Sequence, residues 1–184
     1  MIQDLIKDRR SVFPPQYIDM AIPKKNLDQI LEAANWAPNH KNTEPWRFKV
    51  LQGGAKVKLG KFLSEKYQQI AERPQQVKIK KLGTYPVKSA AVIAICMQRD
   101  PKESVPEWEE VAAVAMAVQN MWLTCTEMGI GCYWSSPPLI DFMDEFFDLA
   151  EGEKCLGFLY MGYYEEELSR GTRKPISEKV VWLE

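Results

Sequence analysis

The sequence predicts a single domain mixing helices and strands around a central sheet, and three segments carry that expectation. Residues 90–97, Ala-Ala-Val-Ile-Ala-Ile-Cys-Met, are a continuous apolar run of strand length, as expected of a central strand covered on both faces. Trp46, Phe48 and Val50 alternate with Arg47 and Lys49, which predicts a half-buried strand. From Pro106 to about Met128 the apolar residues recur at helical spacing. A chain of 184 residues is long enough to bury one core, and 46% hydrophobic against 27% charged residues is a globular balance.

Element by element, Ile2, Leu5 and Ile6 recur at helical spacing, and Arg9-Arg10-Ser11 closes that short helix. Asn26 is the expected N-cap of a second helix carrying Leu27, Ile30, Leu31 and Ala34, which stops at Ala37-Pro38. After the Trp46 strand, Gly53-Gly54 breaks the chain and a polar helical region runs to about Ile79. The long helix has two apolar stripes. One holds Val111, Ala115, Val118, Trp122 and Cys125; the other holds Val114, Ala117, Met121, Thr124 and Met128. A helix apolar on two sides must bury both, one on its own sheet and one on something else, for which a second subunit is the natural candidate. Gly129-Ile130-Gly131 ends it and leads into Cys132-Tyr133-Trp134-Ser135-Ser136. A short helix through Phe142, Phe146 and Phe147 precedes a last core strand over residues 156–163. Residues 169–184 are polar and end in Val180-Val181-Trp182-Leu183, an apolar run that wants a partner surface.

Composition excludes several function classes. A formal net charge of −1 gives no global attraction to nucleic acid or anionic membrane, and the block Lys78-Ile79-Lys80-Lys81 reads as a solvated helix face. The charged start lacks the apolar core of a signal peptide, and no run approaches the roughly 18 apolar residues that span a bilayer. Cys96, Cys125, Cys132 and Cys155 are dispersed without a CxxC pair and read as reduced, buried thiols. A cytoplasmic protein is expected.

Several catalytic signatures fail. Gly129-Ile130-Gly131 opens like a dinucleotide fingerprint, but Trp134 takes the third glycine position and a helix, not a strand, precedes it. The segment from Gly54 to Lys61 mimics a P-loop, yet Phe62 stands where Ser or Thr would bind magnesium. There is no G-x-S-x-G or H-E-x-x-H, and one His cannot build a multi-His metal site. What remains is a stiff polar loop, Ala37-Pro38-Asn39-His40-Lys41-Asn42-Thr43-Glu44-Pro45-Trp46. Its prolines fix φ, and Asn39, His40 and Asn42 supply amide and imidazole groups for a planar polar ligand. It equally suits an ordinary helix-to-strand connection. Binding groups without a protein nucleophile or metal are the pattern of a protein whose cofactor carries the reaction.

Four motifs in register sharpen this. They are Arg9-Arg10-Ser11 after a short helix, the loop from Pro38 to Trp46, Gly129-Ile130-Gly131 leading to Trp134-Ser135-Ser136, and Arg173-Lys174-Pro175 in the tail. Together the chain resembles the nitroreductase family of FMN-dependent homodimeric oxidoreductases, in its compact bacterial branch with an Ala-Pro-x-His-Lys loop. The resemblance implies an α+β fold with a central, mostly antiparallel sheet flanked by helices in an intertwined homodimer. It implies one domain over residues 1–184, with 169–184 an arm reaching the partner. FMN would lie at the interface. Arg9, Arg10 and Ser11 match positions contacting the flavin's pyrimidine edge, ribityl chain and phosphate. Asn39, His40 and Asn42 match loop positions given by the partner subunit; Trp134, Ser135 and Ser136 match the segment against the isoalloxazine; Arg173 matches a phosphate-gripping position. The implied activity is hydride transfer from NAD(P)H through flavin N5 to an electron-poor acceptor, nitroaromatic or quinone, in a ping-pong cycle. The alternatives are another flavin reaction on the same fold (enone reduction, dehalogenation, dehydrogenation) or a flavin store or sensor with little turnover. No metal and no catalytic side chain are expected. The loop departs from the wider family, where small Ser or Thr residues replace Asn39, His40 and Lys41, and its bulk narrows the expected space above the flavin. Taken singly, Arg9-Arg10 also suits a helix C-terminus, Trp134 core packing and Arg173 an exposed tail charge. Lys41 is either a further donor or a solvated side chain.

Overall fold

The computed structural model describes residues 1–169 and 171–184. Strands β1 (Trp46–Leu51), β2 (Ala91–Gln98), β3 (Ile130–Ser135) and β4 (Glu153–Tyr163) form one antiparallel sheet in the order β1-β2-β4-β3. Around it lie helices α1 (Ile2–Asp8), α2 (Lys24–Asn35), α3 (Gly54–Ile70), α4 (Gln76–Lys88) and α5 (Glu107–Glu127). The sheet sits between two helical layers. Ala91, Ile93, Ile95 and Met97 of β2 face α2 and α5, while Val92, Ala94 and Cys96 face α3 and α4. Both faces of β2 are therefore core, which is why its sequence shows no polar alternation. Each fully buried Ile or Met here contributes roughly 1.5–3 kcal/mol.

A bulge interrupts the β2–β4 ladder. Ile95 pairs with Gly157 and Cys96 with Cys155, leaving Leu156 as an extra residue. Gly157 sits at φ 146°, and a side chain there would strike the Trp134 indole and the Ser135 carbonyl. Glycine is thus required both by its backbone and by the close approach of β3.

Several expectations are corrected. Helix α2 starts at Lys24 behind Pro23, so Asn26 lies inside it and reaches Tyr163 with its amide. The helix closes at Trp36, just before Ala37-Pro38. Val50 is exposed; Leu51, on the other face of the strand, is the buried residue, because β1 is an edge strand with partial cover. The polar helical region is two helices, broken around Pro74 and continued to Lys88. Cys132 to Ser135 belong to a strand rather than a connecting segment. The Phe142 region is a 3-10 turn, Pro138–Glu145. Residues of both α5 stripes are buried within the chain, Val118 and Cys125 of the first and Val114, Ala117 and Met121 of the second, so neither stripe as a whole is left for a subunit. The outward remainder holds Trp108, 69% exposed, Ala115 and Met116. The terminal run finds no cover on its own chain: Trp182 is 87% exposed. Of the expected arm 169–184, residue 170 lies outside the described residues. Among the described residues, no helix is long and apolar enough to cross a membrane, and no metal-holding cluster of His, Cys, Asp or Glu occurs.

Candidate functional site

The basic half of the site begins where α1 ends. Arg9 leaves the helix in an extended conformation, its N–H still bonded to the Leu5 carbonyl at 3.0 Å. Ser11 then makes a parallel bridge to Cys132, and the Val12 N–H bonds the Cys132 carbonyl at 3.0 Å. The segment is thereby fastened to the free edge of β3. The Arg9 guanidinium lies over the Trp122 ring at 4.7 Å, and Trp122 Nε1 donates to the Arg10 carbonyl at 3.2 Å. From the other direction the tail brings Gly171 against the Arg10 guanidinium, so close that a side chain at 171 would displace the end of Arg10.

The result is a cavity of about 330 Å³ lined by Ile6, Lys7, Arg9, Arg10, Gln119, Gly171 and Arg173. Burial, then the neighbouring Arg173 and Arg10 charges, lower the pKa of Arg9. Among the described residues, none of the ion pairs involves Arg9, Arg10 or Arg173. The described residues lining the cavity include three guanidiniums and no carboxylate, and that fork geometry suits a phosphate.

The polar half is the 39–45 loop, packed at the other end of α5. His40 Nδ1 meets Glu109 Oε2 at 2.6 Å, and Lys41 Nζ donates to the Ser104 carbonyl at 2.8 Å. Lys41, Asn42 and Glu44 all hold positive φ, at 53°, 52° and 41°. Left-handed conformations at three non-glycine residues are costly and persist where surrounding contacts over-determine them, a feature that clusters at ligand sites. The Glu44 N–H donates to Asn39 Oδ1 at 3.1 Å, which fixes the amide and leaves its NH2 donors for a ligand.

The third group is the end of β3. Trp134 lies over Gly157, and its Nε1 is buried without a partner among the described residues. Ser135 is half-buried and Ser136 exposed, where the strand gives way to Pro137-Pro138.

The structure therefore joins Arg9, Arg10 and Arg173 in one cavity, with Ser11 next along the chain. It does not bring Asn39, His40 and Asn42 to that cavity. Glu109, beside His40, and Trp122, beneath Arg9, are thirteen residues apart on α5, about 20 Å at helical rise. Gln119 is absent from the expected set, although Gln119-Asn120 is a polar pair in an otherwise apolar stretch. So is Glu109, whose only sequence signal is its place in the acidic first turn of α5.

The nitroreductase family model matches residues 6–163. The chain belongs to the nitroreductase family. YdjA of Escherichia coli K12, named as a candidate NAD(P)H nitroreductase, is 28% identical over 174 residues, 94% of this chain and 93% of that protein. The crystal structure of a nitroreductase-like family protein from Bacillus cereus superposes with a TM-score of 0.87 at 32% identity, covering 100% of this chain and 96% of that one. A candidate nitroreductase from Desulfovibrio desulfuricans, solved in complex with FMN, gives a TM-score of 0.77 at 21% identity, covering 99% and 96%. At that identity the last likeness speaks to the fold. A flavin phosphate fits this nitroreductase-family chain through its own residues: three arginines line one cavity with no acidic side chain among the described lining residues, and Gly171 lies at the Arg10 contact.

Proposed function

We propose that the protein is an FMN-dependent oxidoreductase that draws hydride from NAD(P)H and passes it to an electron-poor small molecule of nitroaromatic or quinone type. The observation that carries this is the cavity where Arg9, Arg10 and Arg173 meet with no acidic side chain among the described residues that line it. Arg10 and Arg173 would grip the phosphate, and Arg9 and the Ser11 hydroxyl would serve the ribityl chain and pyrimidine edge. Trp134, Ser135 and Ser136 would lie against the ring system. Bound FMN supplies the two-electron chemistry, accepting and releasing hydride at N5. The side chains bind, orient and exclude water, and none acts as a nucleophile.

The site would be shared between two subunits in a homodimer. The loop with Asn39, His40 and Asn42 stands about 20 Å along α5 from the arginine cavity. The outer face of α5 and the end of the tail offer apolar residues to a second copy, with Trp108, Met116 and Trp182 exposed. Donor and acceptor would use one open flavin face in turn, a ping-pong order. The names of the curated relatives support the same reaction class.

Denaturing the purified protein and weighing the released flavin tests the cofactor; FMN at near-stoichiometric yield is expected, and FAD would refute it. Anaerobic addition of NADH or NADPH should bleach the flavin rapidly, and a nitroaromatic or quinone should restore it. A flavin that stays oxidised under both nicotinamides would make the protein a flavin store.

A further inference from the structure

We propose that Glu109 is the positioning residue for His40, fixing which imidazole nitrogen the 39–45 loop offers to bound FMN; this rests on the flavin reading above. His40 is the one histidine of the chain. Its Nδ1 lies 2.6 Å from Glu109 Oε2. A carboxylate can only accept, so Nδ1 carries the hydrogen and donates it. The opposite edge of the ring carries Nε2, and the side chain is 57% exposed, so Nε2 is the nitrogen left for a ligand.

The rest of the loop holds this arrangement. Lys41 is tied to the Ser104 carbonyl, and Lys41, Asn42 and Glu44 sit in the left-handed region. The other acids in the first turn of α5 are engaged elsewhere. Glu107 pairs with Lys154, and the buried Glu110 takes both Arg99 and the Asp100 N–H. Each acid has its own partner, and that of Glu109 is the loop. An imidazole freed from Glu109 would sample both tautomers and several rotamers, and ordering it again on binding would cost affinity.

A single histidine makes the idea directly readable by ¹⁵N NMR of imidazole-labelled protein titrated with FMN. In the unsubstituted protein, Nδ1 should show the shift of a hydrogen-bonded N–H with and without FMN, and the Nε2 signal should move as FMN binds. Glu109→Ala should mix the tautomers and weaken FMN binding about tenfold. Glu109→Gln keeps an oxygen that accepts from Nδ1 and should return affinity to within about threefold of the unsubstituted protein. The double variant Glu109→Ala/His40→Ala should bind no worse than His40→Ala alone, since the two residues act as one unit. An Nε2 signal indifferent to saturating FMN, or losses that add in the double variant, would overturn the inference and leave the flavin reading standing. A labelled, folded protein that takes up no FMN at all would instead overturn the flavin reading.

Discussion

Tyr17 carries an unusual load for one side chain. Its hydroxyl lies 2.7 Å from the Val12 carbonyl and 3.0 Å from that of Tyr160, so a single hydrogen is shared between the site's entry segment and β4. Burial pushes its phenol far above the ordinary range, and it stays a donor at any working pH. Tyr17→Phe should cost about 1–3 kcal/mol, because two carbonyls lose their donor, and urea unfolding checks it. The arginines act differently, through ligand rather than fold. Arg173→Ala should leave stability of the apo-protein unchanged or slightly raised, since it relieves repulsion on Arg9. It should weaken FMN about tenfold or more, the worth of a charge-assisted bond of roughly 1.5–3 kcal/mol. Titrating apo-protein with FMN measures this, and unchanged affinity would move the phosphate elsewhere.

At the scale of elements, the loop depends on a turn that precedes α5. Asp100 accepts from the Ser104 hydroxyl, the Ser104 N–H and the Lys102 N–H, and these bonds lower its pKa. A carboxylate lowered in the folded state stabilises above its unfolded value, about 3.9, and that contribution is lost as pH falls through the lower folded value. Because Ser104 also accepts from Lys41, acid should loosen the loop's anchor along with the turn. Carboxyl ¹³C titration should give Asp100 a midpoint below 3.9, with the Ser104 amide shifting in step. An ordinary midpoint would detach the turn from the loop. These elements were unevenly legible in the sequence. β2 was plain because both its faces are core, and α5 because its apolar spacing persists for twenty-one residues. β3 was hidden: Ile-Gly-Cys-Tyr-Trp-Ser starts next to a glycine and does not alternate, and its partner β4 comes eighteen residues later. Asn26 has the residue type of a cap, but the helix already begins at Lys24, behind Pro23. The arginine motif was legible as a resemblance, whereas Gln119 and Glu109 needed the geometry of α5 against the loop and the tail.

Across the whole molecule, one chain leaves the two halves of the site apart and much apolar surface uncovered. Trp108 and Met116 on α5, Ile2 and Ile6 on α1 and the residues after Val180 are all exposed on a single copy. A second copy can cover them and carry its loop toward the first copy's arginines. Cofactor binding and association are then linked, so FMN should tighten the dimer by mass action. The most direct measurement mixes two variants, Arg173→Ala, damaged in the cavity, and Asn42→Ala, damaged in the loop. Each alone should bind FMN weakly. If the site is shared, a heterodimer of the two has one site damaged twice and one left intact, and should recover about half the unsubstituted flavin content. Heterodimers that recover none, at an FMN concentration that fills the unsubstituted protein, would contradict a site built from two chains.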